Sequence, residues 1–195
     1  MKKLAILASG IVIAVSMLSH SAMAKDYQIG ASLLTQQHPF YIELANAMKA
    51  EAKKDHVALS ISIANQDLNK QLSDVEDFIT RKVDAIIISP VDSKGVQAAI
   101  IKAEKAGIPV ITVDVAAEGG PVVAHVATDN YAGGVMAGKL LGQLLTGNGK
   151  VGIIDYPALQ SVVARVDGFQ AGLAATPAVS IVSIHTGITP AEAPT

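Results

Sequence analysis

The chain has 195 residues, 50% of them hydrophobic, with 15 Lys and Arg against 17 Asp and Glu and a formal net charge of −2. This near-neutral balance gives no reason to expect a nucleic acid or an anionic membrane surface as a partner. The absence of cysteine excludes a disulfide framework, a thiolate nucleophile, a lipid-bearing cysteine and a cysteine-ligated metal.

Residues 1–24 have the layout of a secretory signal peptide. Two lysines at positions 2 and 3 precede an apolar run over residues 4–18, and Ala22-Met23-Ala24 is a small-x-small cleavage site. The apolar run is shorter than the roughly 20 residues of a transmembrane helix, which disfavours a membrane anchor. The sequence therefore predicts export with cleavage after Ala24. The Gram-negative periplasm is the natural compartment, and secretion to the medium stays open.

The next part of the chain, residues 25–127, alternates short β-branched runs with helical patterns. This alternation is typical of βαβ units and a buried parallel sheet, and right-handed crossovers would make that sheet open and doubly wound. The predicted strands are Ile29–Leu34, Ala58–Ile63, Ala85–Ile88, Val110–Val113 and Val122–Val126. The predicted helices are Pro39–Asp55 with the stripe Ile42, Ala45, Met48 and Ala52, Asn69–Arg81 with the stripe Leu72, Val75 and Ile79, and Lys94–Ala106.

A second lobe, residues 128–195, is predicted where the α/β pattern restarts. Its first helix, from near Tyr131, contains glycines that each cost about 1 kcal/mol relative to alanine, and close backbone packing would offset that cost. These are Gly133, Gly134, Gly138 and Gly142, and the elements that follow are a strand Val151–Asp155, a helix Ala164–Ala174 and a strand Ser180–Ile184. Two strands and two helices cannot cover both faces of a sheet. The sequence therefore predicts an incomplete, C-terminally truncated lobe and a tendency to aggregate.

Gly147, Gly149 and Gly152 have the spacing of a dinucleotide-binding fingerprint. They follow a helix and precede a strand, which reverses the order that the fingerprint needs. A helix C-cap and turn is the better interpretation. Phosphate loops, nucleophile elbows and paired-histidine zinc motifs are absent from the sequence as well, so it indicates no cofactor and no metal.

Polar and aromatic residues follow the carboxyl ends of three predicted strands, the edge at which open α/β sheets bind ligands. Phe40 and Tyr41 follow the first strand, Ser89 the third and Asp114 the fourth. This combination is typical of a carbohydrate site, because carboxylates bind the sugar hydroxyls and an aromatic face contacts the C–H groups of the sugar ring. Ordinary helix packing is an equally good interpretation of the two aromatic residues.

Arg165 lies near the start of the second-lobe helix, and the sequence leaves two roles open for it. It could be a solvated helix residue paired with Asp155 or Asp167. It could also reach across the cleft and donate a bidentate pair to ligand hydroxyls or to Asp114.

As an ordered set, several segments resemble the type I periplasmic binding proteins, specifically the ribose-binding-protein-like sugar receptors of ABC importers. The resemblance implies two lobes that close on a sugar around a hinge. Cytosolic repressors share this core but carry a DNA-binding headpiece where this chain has a signal peptide. The resemblance runs from about Lys25 to Ile188 and rests on residues 38–41, 65–67, 84–92, 106–114, 128–130 and 165–169.

The resemblance also implies a role for each candidate site residue. Phe40 and Tyr41 would sandwich the sugar ring, Ser89 and Asp114 would bind its hydroxyls, Thr128 would lie at the hinge, and Arg165 would clamp the ligand from the second lobe. His38 and Val115 stand where many ribose receptors have asparagine and arginine, so ribose itself is not implied. The implied partners are a small-molecule sugar and the membrane permease of an ABC importer, with a chemotaxis receptor as a further candidate and no nucleic acid.

Three other interpretations of the sequence compete with a monosaccharide receptor. An exported α/β hydrolase would use Asp114, Asp92 and His38 on one rim, although these positions do not assemble a nucleophile, a base and an oxyanion site. A receptor for a furanosyl signalling molecule would use the same cleft. In the third interpretation the chain is a truncated remnant without function. Because only half of the binding cleft would be present, sugar binding would be weak or undetectable.

Overall fold

The computed structural model describes residues 26–146 and 148–187. The predicted signal peptide, its cleavage site and Gly147 lie outside the described residues. The helices are α1 (Pro39–Lys54), α2 (Leu68–Thr80), α3 (Gln97–Lys105), α4 (Asn130–Leu144) and α5 (Gln160–Leu173). The strands are β1 (Gln28–Leu33), β2 (Ala58–Ile63), β3 (Ala85–Ile88), β4 (Val110–Val113), β5 (Ala124–Val126), β6 (Gly149–Asp155) and β7 (Val179–Thr186).

Two parallel sheets organise these elements. A five-stranded sheet has the order β2-β1-β3-β4-β5, and a two-stranded sheet pairs β6 with β7. We call β1–β5 with α1–α3 the first lobe, and α4, α5, β6 and β7 the second lobe. The predicted boundary at 127–128 falls in the segment between β5 and α4. The expected α/β class with a doubly wound parallel sheet is confirmed.

The first lobe buries apolar side chains on both faces of its sheet. One core cluster joins α2 and α3 to the sheet through Phe78, Ile86 and Ile100. The other joins α1 to the opposite face through Leu33 and Ala45. Burial on both faces explains why the central strand β3, Ala85–Ile88, is a continuous apolar run.

The buried stripes of two helices differ from the predicted ones. Ile42 of α1 is 42% exposed, and Tyr41, one position earlier, is buried in its place. In α2 the buried stripe includes Gln71 and Asp74 together with Val75 and Phe78. Periodicity of apolar residues alone missed these polar positions because their side chains are satisfied by hydrogen bonds inside the fold.

The third helix begins three residues later than its predicted start at Lys94. Asp92 explains the delay, because its Oδ1 atom accepts hydrogen bonds from the backbone N–H groups of Lys94 at 2.9 Å and Gly95 at 2.7 Å. Such a side-chain turn competes with regular helix at this point. Helix α3 therefore starts at Gln97, after a turn.

Glycines form the contact between α4 and α5. A Cβ atom added at Gly134 or Gly138 would overlap the backbone of Arg165 or Phe169, and one added at Gly168 would overlap the carbonyl of Tyr131. The predicted close packing is therefore present at these positions. It is not present at Gly133, which faces open space.

The second lobe exposes apolar side chains on its strands and on α4. Ile154 is 59% exposed and Val182 57%, while Met136 and Leu144 of α4 are also exposed. Sheet β6-β7 contains only two strands, so each strand has one edge that pairs with no described strand. Within the described ranges, no helix combines the length and hydropathy that a membrane span needs.

Ser93, in the turn before α3, connects the two lobes. Its hydroxyl accepts the backbone N–H of Gln160 at 3.0 Å, and its own backbone N–H donates to the carbonyl of Ala158 at 3.0 Å. The residue at the N-cap of α5 is Leu159, which has no side-chain acceptor and instead packs against the α1-side core of the first lobe. Ser93 therefore satisfies the N-terminus of a helix in the opposite lobe.

Replacing Ser93 with alanine is expected to loosen this lobe contact. Loss of an N-cap acceptor lowers the free energy of unfolding by about 1 kcal/mol, and the Gln160 amide would then open to solvent more often. Hydrogen exchange followed by NMR should show faster exchange at Gln160. Ser73→Ala, at an exposed position of α2, is the matched control and should leave that amide protected. Equal protection in both variants would show that the contact does not hold the lobes together.

Candidate functional site

A crevice of about 430 Å³ lies between the two lobes at the carboxyl ends of the first-lobe strands. It is lined by every candidate site residue predicted from the sequence except Ser89. Those residues are His38, Phe40, Tyr41, Asp114, Thr128 and Arg165. The strand order β1-β3-β4-β5 explains the convergence, because the segments that follow adjacent parallel strands emerge at one edge of the sheet.

Asp114 is held at the crevice by an unusual backbone conformation. Its φ is 61°, in the left-handed region that residues other than glycine seldom adopt, and its N–H donates to the carbonyl of Val126 at 2.9 Å. The Tyr41 hydroxyl donates to Asp114 Oδ2 at 2.6 Å, a length typical of a charge-assisted bond. The carboxylate is therefore oriented before any ligand arrives.

Ser89 lies behind Tyr41 instead of lining the crevice. Its side chain is fully buried, and its hydroxyl oxygen is 2.9 Å from the Tyr41 hydroxyl oxygen. Burial, followed by the hydrogen bond to Asp114, raises the pKa of Tyr41 far above its usual value. Tyr41 therefore stays protonated and continues to donate to Asp114.

The two aromatic residues take different roles from the predicted sandwich. Their rings lie 5.2 Å apart with an interplanar angle of 87°, so they cannot stack on opposite faces of one sugar ring. Phe40 is 46% exposed and lines the crevice, while Tyr41 is 6% exposed and directs its hydroxyl to Asp114. Of these two rings, that of Phe40 is the one exposed enough to stack on a ligand.

His38 both caps α1 and lines the crevice. Its Nδ1 atom accepts the backbone N–H of Phe40 at 3.2 Å, which satisfies one of the orphan donors at the start of the helix. In the neutral tautomer that makes this bond, Nε2 carries the proton and is a donor. The capping bond thus leaves one hydrogen-bond donor of His38 for a ligand.

Arg165 reaches the crevice from α5, as the predicted role of a donor to ligand hydroxyls requires, but its protein partner is not one that the sequence suggested. Its guanidinium donates to the side-chain oxygen of Asn130 rather than to Asp155, Asp167 or Asp114. The Asn130 amide nitrogen in turn donates to the carbonyl of Thr128 at 3.1 Å. Asn130 therefore orients the second-lobe cation and connects it to the segment between the lobes.

Gln71 was not identified from the sequence, and it lies beneath the turn after β3 that borders the crevice. This fully buried side chain donates to the Ser89 carbonyl at 2.9 Å and accepts the N–H of Val91 at 2.8 Å. It thereby fixes the turn after β3 that carries Ser89. A polar residue in the buried stripe of α2, one turn before Val75, was the available signal.

A second crevice, of about 330 Å³, lies between α4, α5 and β6. Apart from Arg165 it is lined by glycine, aliphatic and aromatic residues, including Leu141, Ile153 and Phe169. A polyhydroxylated ligand needs several hydrogen-bonding partners, which this lining does not provide. The interlobe crevice is therefore the candidate site.

The sequence matches the family model described as a periplasmic binding protein domain over residues 29–195. The ribose import binding protein of Bacillus subtilis is 38% identical over 152 residues, which cover 77% of this chain and 50% of that protein. The ribose import binding protein of Escherichia coli K12 is 36% identical over 178 residues, which cover 90% of this chain and 59% of that protein. The chain thus spans 50% to 59% of the length of these relatives.

Solved structures show the same fold. An ABC transporter solute binding protein from Mycobacterium smegmatis with bound glycerol has a TM-score of 0.76 and 41% identity, over 80% of this chain and 55% of that one. The Caulobacter myo-inositol binding protein bound to myo-inositol has a TM-score of 0.78 and 30% identity, over 84% of this chain and 56% of that one. The molecules named in these two structures are both polyols.

Proposed function

This chain belongs to the periplasmic binding protein family, and we propose that its interlobe crevice captures a small sugar or polyol for delivery to an ABC importer. Family membership confirms the resemblance drawn from the sequence. One observation of the site carries the proposal. Asp114 and Phe40 of the first lobe face the same crevice as Arg165 of the second lobe. An acceptor, an aromatic face and a donor of this kind match the hydroxyl and C–H surfaces of a sugar.

We propose that the protein binds its ligand without catalysing a reaction. The hydrolase alternative required Asp92 and His38 to act with Asp114 on one rim. In the structure Asp92 accepts the N–H groups of a turn and does not line the crevice. The Nδ1 atom of His38 is engaged as a helix cap. The relatives from Bacillus subtilis and Escherichia coli are named as binding proteins, which supports binding without catalysis.

NMR titration of the purified chain tests this proposal, because it detects weak as well as tight binding. Addition of D-ribose, D-galactose, myo-inositol, glycerol and L-arabinose should produce saturable shifts with at least one compound. The shifted amides should include Phe40, Val115 and Arg165, whose residues line the crevice. The absence of saturable shifts with every sugar and polyol would refute the proposed function. A furanosyl ligand would be indicated by saturation only with sugars that populate the furanose form.

We propose the periplasm as the compartment in which capture occurs, since the relatives belong to a family described as periplasmic. The signal sequence over residues 1–24 supports export. Expression in a Gram-negative host should release a product by osmotic shock, and mass spectrometry should find Lys25 at its N-terminus. A product that retains Met1 and remains in the cytosolic fraction would contradict export.

A further inference from the structure

Gln66 lines the interlobe crevice, although it is not among the site residues predicted from the sequence. It follows β2, which lies beside β1 in the first-lobe sheet, so it reaches the same edge as the residues that follow β1 and β4. Its backbone N–H donates to the carbonyl of Leu34 at 2.9 Å, and Leu34 lines the crevice as well. The backbone of Gln66 is therefore fixed at the edge of the site.

Gln66 adopts a backbone conformation that its residue type disfavours. Its φ is 63°, and the φ of the preceding Asn65 is 52°. Asparagine tolerates this left-handed region because its short side chain can hydrogen-bond locally, whereas glutamine lacks that compensation. Glycine would be the least strained residue at position 66. Strained residues are concentrated at binding and active sites, so a glutamine here indicates a function beyond the turn itself.

The side chain of Gln66 has no hydrogen-bond partner among the described residues. The other polar side chains that line the crevice from the first lobe each have a protein partner. Those residues are Thr35, His38, Tyr41 and Asp114. The half-buried Gln66 thus brings both an amide oxygen that accepts and an NH₂ group that donates, with neither group committed inside the protein.

We propose that Gln66 is a ligand-binding residue of this crevice, whose side-chain amide hydrogen-bonds the hydroxyl groups of the sugar or polyol. This inference rests on the proposed function, because it concerns the ligand of the same crevice. A hydroxyl group can donate and accept, so the neutral amide can bind it in either direction, whereas the carboxylate of Asp114 only accepts. Gln66 thereby adds a ligand contact after β2, where the sequence predicted none.

Gln66→Gly tests the inference, because it removes the amide and relieves the backbone strain in one step. NMR titration with D-ribose, D-galactose, myo-inositol, glycerol and L-arabinose measures the affinities. For compounds that the wild-type chain binds, affinity should fall about three- to tenfold, as expected for loss of a neutral hydrogen bond. The urea midpoint of unfolding should stay equal or rise, because glycine adopts this φ without strain. In the wild-type chain, the side-chain NH₂ signals of Gln66 should shift along the same saturation curve as the crevice amides.

Asn65→Gly is the matched control. It introduces glycine at the neighbouring left-handed position and replaces an exposed side chain that does not line the crevice. Its affinities should equal those of the wild-type chain. If Gln66→Gly bound as tightly as Asn65→Gly, or if the Gln66 side-chain signals did not shift with a ligand that shifts the crevice amides, the inference would be overturned and the proposed function would stand. A lower unfolding midpoint for Gln66→Gly would assign the side chain to the stability of the fold and would also overturn the inference. A chain that binds none of the sugars and polyols would refute the proposed function, and the inference with it.

Discussion

Replacing Gly138 with alanine should lower the free energy of unfolding by about 3 kcal/mol, because the added methyl group has no space at the α4–α5 contact. A Cβ atom at this position would overlap the carbonyl oxygen of Phe169 and crowd the N–H of Leu173. Both obstacles are backbone atoms, which cannot rotate away as a flexible side chain can. The helices would have to separate, and the neighbouring contact at Gly134 would be lost with them.

Gly133→Ala is the control for this prediction. Gly133 lies in the same helix, but a Cβ atom there meets no atom within contact distance. Alanine has the higher helix propensity, so this variant should raise the free energy of unfolding by up to about 1 kcal/mol. Urea denaturation followed by circular dichroism measures both changes. Equal stability of the two variants would contradict the close approach of α4 and α5.

The inner strands of the first-lobe sheet could be predicted because both faces of that sheet are covered. The apolar runs Ala85–Ile88 and Val110–Val113 coincide with β3 and β4 to the residue. The run at 122–126 was predicted too long, because Pro121 and the exposed Val123 precede a strand that starts only at Ala124. An edge strand has one neighbour to hold it, so its length depends on contacts that periodicity does not record.

The functions of the glycines in α4 could be predicted only in part. A cluster of glycines in a helix indicates close packing, but it does not identify the packed face. Gly134 and Gly138 are four residues apart and share a face, whereas Gly133 is rotated away by one residue. The partner glycines of α5, Gly168 and Gly172, completed this assignment only in the folded structure.

The composition of the site could be predicted better than its hydrogen bonds. Topology brings the segments after parallel strands to one edge, so the sequence identified Asp114 and Phe40 as crevice residues. It could not show that the Ser89 hydroxyl lies behind Tyr41, since the depth of a side chain depends on the packing of α1. Nor could it pair Arg165 with Asn130, which is 35 positions away and lies in another helix.

The contact between the lobes was also inaccessible to sequence reasoning. A helix cap is normally sought within the residues that precede the helix, and α5 has Leu159 at that position. Its acceptor is Ser93, 67 positions earlier in the chain. This contact joins the first lobe to the helix α5, which carries Arg165 into the crevice.

Asp114→Asn is expected to weaken sugar binding by about 10- to 100-fold, the range for loss of a hydrogen bond to a charged group. The amide has nearly the shape of the carboxylate, and its oxygen can still accept from the Tyr41 hydroxyl. That orientation presents the amide NH₂ group to the crevice where Asp114 presents Oδ1. A ligand hydroxyl that donates to the carboxylate would then face a donor and lose its partner.

Asp77→Asn separates this effect from a general change of charge. Asp77 is an exposed residue of α2 whose Oδ2 atom is 3.2 Å from Arg81, far from the crevice lining. Its variant should bind sugar as the wild-type chain does, because a surface ion pair contributes little and does not contact the ligand. Affinities come from the same NMR titrations. If Asp114→Asn bound every sugar as tightly as Asp77→Asn, the carboxylate that Tyr41 orients would not be the group that holds the ligand.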